Sequence, residues 1–191
     1  MSRYILKKFK DFDPNTKQNQ YASIIDINKK ELCLLVIFES DLYEKKNYHI
    51  MSGSAKLTGT NHHFCLVAMD EVYLDFFTRM PEILEPVLMH ELGHFLNGDW
   101  DPTKRKKTSQ QIYQERTMLN MLGLVPKEEL NADRFSAEVV GVDKAIKALK
   151  LLKKEREKKT EDGTELAIKE FGIRIKALEK LRDDNVAIIY K

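Results

Sequence analysis

The sequence predicts an α+β fold: a small antiparallel or mixed sheet packed on one site-bearing helix, followed by a mainly helical C-terminal half. Three observations predict it. Leu32–Phe38 is a seven-residue apolar run of branched and aromatic side chains bounded by charges, the pattern of a buried strand. Apolar residues from Leu84 to Leu96 recur at i, i+3 and i+4, the pattern of a helix with one buried face. The stretch from Val142 to Asp183 is highly charged and helix-prone.

The elements follow in order. A polar start with Asp13-Pro14-Asn15 predicts a turn, and Gln18–Ile27 is compatible with a short helix. After the Leu32–Phe38 strand, Met51–Asn61 carries Gly53, Gly59 and several hydroxyl residues and reads as loop. Alternation over His63–Asp75 predicts a second strand, with room for a tight hairpin near Asp70-Glu71. The helix that follows opens at Pro86 or bends there, and Asn97-Gly98 stops it. Helices are then expected over Ser109–Leu122, ended by Gly123, and from Pro126 to about Val140. The tail reads as a helical hairpin broken at Asp162-Gly163, with Ala145, Ile146, Leu149 and Leu152 facing Leu166, Ile168, Phe171, Ile175 and Leu178. The expected units are residues 1–141, carrying the site, and 142–191, a charged hairpin packed on it or appended to it.

Composition sets bounds on function. At 191 residues the chain can bury a substantial core. A net charge of +2 is too balanced to demand nucleic acid or anionic lipid. The start lacks a signal-peptide core and no apolar run approaches membrane-spanning length, so no membrane insertion is expected and a cytoplasmic location is. Cys33 and Cys65 sit in apolar stretches and are expected to be reduced core residues. Lys104–Lys107 reads as a solvated loop, and His62-His63 as a polar turn before a strand.

The chemistry concentrates at His90-Glu91-Leu92-Gly93-His94. Two histidines at i and i+4 lie one helical turn apart on one face, so both rings can reach one Zn²⁺, with Glu91 beside them as general base. A catalytic zinc site needs a third protein ligand and an open position. The spacing HExxHxxGxxH does not supply it: the glycine stands at 98 where that pattern wants 97, and Trp100 occupies the ligand position. Glu129 and Asp133, again at i and i+4, offer a ligand and a carboxylate to orient a ligating histidine through its free ring N–H. Rival third ligands are Glu128, Asp133 itself, Glu138 and Asp99. His49, His62, His63, Tyr73 and Tyr113 are candidates to stabilise an oxyanion, and residues 64–75 are a candidate strand for pairing with an extended substrate.

The paired patterns His90-Glu-Leu-Gly-His94 and Glu129-xxx-Asp133, followed by Arg-Phe-Ser-Ala-Glu, resemble the gluzincin metallopeptidases. Within them they are similar to the peptidases that process membrane or prenylated proteins and to the small ImmA/IrrE-type peptidases, and the lack of membrane spans favours the latter. The resemblance covers about residues 64–141. It implies a zincin-like core, Zn²⁺ held by His90, His94 and Glu129, Glu91 as base, Asp133 in support, and a peptide or protein substrate. ImmA-like chains commonly add a helix-turn-helix or sensor region, and no such signature is present. The other reading is a non-catalytic protein-binding or regulatory module on the same scaffold. The intact Glu91 favours the enzyme, because a structural metal site needs no base.

Overall fold

The computed structural model describes the backbone of residues 4–7, 20–26, 31–38, 50–56, 63–69, 76–99, 109–159 and 164–189. Side chains are described for Cys65, Val67 and residues 76–99, 110–111, 114–159 and 164–184.

From residue 76 onward the described chain is 85% helical and contains no strand. The expected α+β class is therefore corrected for the body that holds the core and the candidate site: it is helix packed on helix. A helical turn at residues 76–79 and a 3-10 turn at Pro81–Ile83 lead into α1, Leu84–Asn97. Then come α2, Ser109–Met121; α3, Lys127–Val140; α4, Val142–Arg156; and α5, Thr164–Ile189. The sequence places a sheet beneath the site-bearing helix; the layer that packs most extensively on it is α3, with α4 and α5 behind, and the strand residues 50–56 and 63–69 contact it to a smaller extent. The physical reason lies in the buried stripes. Ala132, Ser136, Ala137 and Val140 of α3, Ile146, Leu149 and Leu152 of α4, and Ile175 and Leu178 of α5 are buried, so helix faces supply most of the described core.

Ahead of this body the backbone runs as strands β1, Tyr4–Lys7; β2, Gln20–Asp26; β3, Glu31–Phe38; β4, Ile50–Lys56; and β5, His63–Met69. Their order is β1-β2-β3-β5-β4, with β3 and β5 parallel and the other pairs antiparallel. The expected helix at Gln18–Ile27 is thus a strand, and so is the first half of the expected loop at Met51–Asn61. Both pair with neighbours, and such pairing outweighs local propensity. The expected hairpin at Asp70-Glu71 lies outside the described residues. Cys65 and Val67 are buried in the same hydrophobic cluster as Leu88, Leu92, Leu149 and Leu178. Among the described residues no helix is long and apolar enough to cross a membrane.

Local signals fix α1 as the sequence predicts. Pro86 sits in its first turn, where a missing N–H leaves no helical bond unmade. Gly98 takes the left-handed conformation (φ 74°) and closes the helix, its N–H donating to Phe95 O at 3.0 Å. The next residue, Asp99, donates its N–H to His94 O at 3.0 Å. The C-cap therefore turns the chain back toward the second histidine.

One contact sets the distance between α1 and α3. A Cβ added at Gly93 would lie 2.9 Å from Ala132 Cα and 3.3 Å from Ala132 Cβ. The glycine inside the His-Glu-Leu-Gly-His run and the alanine inside Glu129-Leu-Asn-Ala-Asp133 are thus the crossing point of the two helices. Ser136 adds a hydrogen bond from Oγ to Pro86 O at 2.8 Å. Gly93→Ala should cost about 1–3 kcal/mol through overpacking, lowering the urea midpoint of unfolding. An unchanged midpoint would mean that the helices do not meet here.

Candidate metal centre

The close crossing brings three donor groups together. His90 and His94 present their rings 4.7 Å apart at 89°, with Nε2 atoms 3.1 Å from each other. Glu129, in the first turn of α3, places Oε2 3.3 Å from His90 Nε2 and Oε1 3.9 Å from His94 Nε2. The three donors lie within 4.8 Å of one another, close enough to hold one metal ion. Their side chains are 12–15% exposed, so the group is largely withdrawn from solvent.

Each histidine is oriented by a carboxylate at its other nitrogen. His90 Nδ1 lies 2.8 Å from Asp133 Oδ1, and His94 Nδ1 lies 3.0 Å from Asp99 Oδ2. With Nδ1 turned outward to a carboxylate, both rings direct Nε2 toward the centre. The rival ligands separate accordingly. Asp133 and Asp99 bind the outer ring nitrogens, while Glu128 and Glu138 are exposed. Glu91 follows His90 and is buried at 8% exposure. Burial, and then the charge of Glu91, push the Cys65 thiol of β5 far up, so Cys65 is a buried neutral thiol.

Behind the donors lies a network that the sequence reading misses. Arg174 of α5 donates through Nε to Asp133 Oδ2 and through Nη2 to Oδ1, both at 2.7 Å, while Nη1 lies 3.1 Å from Glu129 Oε2. Arg116 of α2 lies 3.2 Å from Glu129 Oε1 and forms a two-pronged pair with Glu170, its Nε donating at 3.0 Å. Asn120 donates to the same Glu170 at 3.2 Å. A signal for part of this exists: Glu170 and Arg174 stand at i and i+4 among the apolar positions Phe171, Ile175 and Leu178 of α5. Two opposite charges on an otherwise buried stripe call for partners.

The electrostatics follow from burial and these partners. Burial alone would raise Glu129 and Asp133, but the Arg174 charge prevails and holds both well below the usual carboxylate range. Burial and Arg174 both oppose a proton on His90, yet Asp133 and Glu129 outweigh them and hold it at about 9. A histidine raised above its ordinary 6.5 contributes stability that is complete below that pH and is lost as the pH rises through about 9.

Of the other residues singled out in the sequence, His49, His62, Tyr73, Trp100 and Lys104–Lys107 lie outside the described residues, as do the side chains of Cys33, His63 and Tyr113. Of the stretch 64–75 considered for substrate pairing, residues 64–69 lie in β5 and the rest lie outside the described residues. β5 is flanked by β3 and β4 and has no free edge, whereas β4 ends the order. Comparisons with protein-family models, curated proteins and solved structures returned no match.

In chelator, the unfolding midpoint should fall between pH 6.5 and pH 9.5, and His90→Gln should flatten that slope. A wild-type slope identical to that of the variant would contradict the charge pattern.

Proposed function

We propose that the chain is a zinc-dependent peptidase of the gluzincin type, with His90, His94 and Glu129 as the metal ligands and Glu91 as the general base. The observation that carries this reading is the donor triangle itself. In a tetrahedral zinc site with ligand distances of about 2.0–2.1 Å, neighbouring ligand atoms stand about 3.3 Å apart. Here His90 Nε2 stands 3.1 Å from His94 Nε2 and 3.3 Å from Glu129 Oε2, the other Glu129 oxygen is 3.9 Å from His94 Nε2, and one ligand atom from each residue lies within 4.8 Å of the others. Two imidazoles and one carboxylate also match the ligand chemistry of catalytic zinc, which keeps a further position open. A purely structural zinc would be expected to have four protein ligands, and the described group supplies three.

Zinc, when bound, supplies a Lewis acid that polarises a carbonyl and brings the pKa of water to about 7. The chain's own residues do the rest. Asp133 and Asp99 face Nδ1 of the two rings, so that each ring would offer Nε2 to the ion. Glu91, carried one residue after His90 on the same rigid helix, accepts the proton of the attacking water and delivers it to the leaving amine nitrogen. A peptide or protein substrate is proposed on the same grounds, since hydrolysis of an amide needs both a polarised carbonyl and a proton for the amine.

Glu91→Gln keeps the shape of the side chain and removes its basicity. The variant should retain about one zinc per chain by elemental analysis while cleaving an unfolded polypeptide 10²–10⁴-fold more slowly, roughly the span of general acid–base catalysis. Equal cleavage by variant and wild type would remove Glu91 from the mechanism. A wild-type chain that stays metal-free after zinc reconstitution would overturn the proposal as a whole.

A further inference from the structure

Arg174 stands 84 residues from His90 in the sequence, on the last helix of the chain, and its side chain is 9% exposed. The geometry of its contacts is specific. A fork of Nε and Nη2 grips both oxygens of Asp133 at 2.7 Å, which fixes the plane of that carboxylate. Asp133 Oδ1, held in this way, is the atom that faces His90 Nδ1 at 2.8 Å. The remaining nitrogen, Nη1, reaches Glu129 Oε2 at 3.1 Å, and Oε2 is the oxygen nearest His90 Nε2. One guanidinium therefore holds the carboxylate that faces His90 and also touches two ligands directly, with Nη2 3.2 Å from His90 Nδ1 and Nη1 3.1 Å from Glu129 Oε2. Nη1 is also 3.8 Å from Glu170 Oε1, and the guanidinium sits 5.6 Å from the centroid of the Phe171 ring, so its own position is held from α5.

We propose that Arg174 is the positioning residue of the metal centre: its planar fork, and not its charge alone, fixes Asp133 and Glu129 so that His90, His94 and Glu129 converge. This inference rests on the zinc reading above. It makes the C-terminal helix a working part of the site. A lysine at this position would carry the same charge on a single ammonium nitrogen, without the planar fork that grips Asp133 while reaching Glu129.

The test measures zinc affinity by competition with a chelator, and the visible spectrum of the cobalt(II)-loaded chain, for wild type, Arg174→Met, Arg174→Lys and Leu178→Ala. Leu178 is buried on the same helix at 2% exposure, and its truncation removes stability without touching the site. Both Arg174 variants should bind zinc 10–100-fold more weakly, roughly the usual cost of losing such support, and should change the cobalt spectrum. Leu178→Ala should stay within about three-fold of wild type, with its spectrum unchanged. If Arg174→Lys binds like wild type, charge alone suffices and the proposal falls. It falls equally if the Arg174 variants lose no more than Leu178→Ala, or if neither folds, since the arginine then serves the fold. A wild-type chain that binds no zinc would instead show in the first arm and sink the metal reading itself.

Discussion

The near-contact of Gly93 with Ala132 is the constraint on which the rest of the structure depends. Side chains as short as His and Glu reach a common point only if the backbones carrying them come close. A methyl group at position 93 would fall 2.9 Å from an α-carbon, so only glycine fits without the helices moving apart. From that crossing the geometry propagates in both directions. His90 and His94 lie on either side of Gly93, while Glu129 and Asp133 lie on either side of Ala132. The Gly98 cap then brings Asp99 back to His94, completing the second carboxylate–histidine pair.

Such a centre is costly to bury. Glu129, Asp133 and Glu170 are all largely withdrawn from solvent, and Arg116, Arg174 and His90 answer them. Well-packed apolar residues of the same volume are often as stable as a buried ionic cluster or more so, whereas removing one member of a buried pair costs about 3–5 kcal/mol. Stability alone therefore gives little reason for the cluster, and pre-positioned ligands give a good one.

How much of this could be read beforehand depends on how local each signal is. His90, His94, Glu129 and Asp133 stand out because a spacing of four puts two side chains on one face of one helix. The ends of α1 were legible for a similar reason, since Pro86 and Gly98 act on the backbone next to them. The role of Asp99 was not, because it arises from the turn that Gly98 makes; as a bare sequence it was one more rival ligand. Arg174 and Arg116 were further from view. Nothing near them states which helix faces α3, and only the paired charges on the apolar stripe of α5 hint at a partner. The fold class misled in the same way. The apolar run Leu32–Phe38 and the alternation over His63–Asp75 drew attention to a sheet, while the frame around the donors came from long-range packing of α1, α3 and α5.

The central claim is that two histidines and one glutamate gather around a single zinc. X-ray absorption at the zinc edge of the loaded chain tests it most directly. The spectrum should show one zinc surrounded by nitrogen and oxygen at about 2.0–2.1 Å, with scattering from two imidazole rings. A sulfur shell at about 2.3 Å, or a single imidazole, would contradict it.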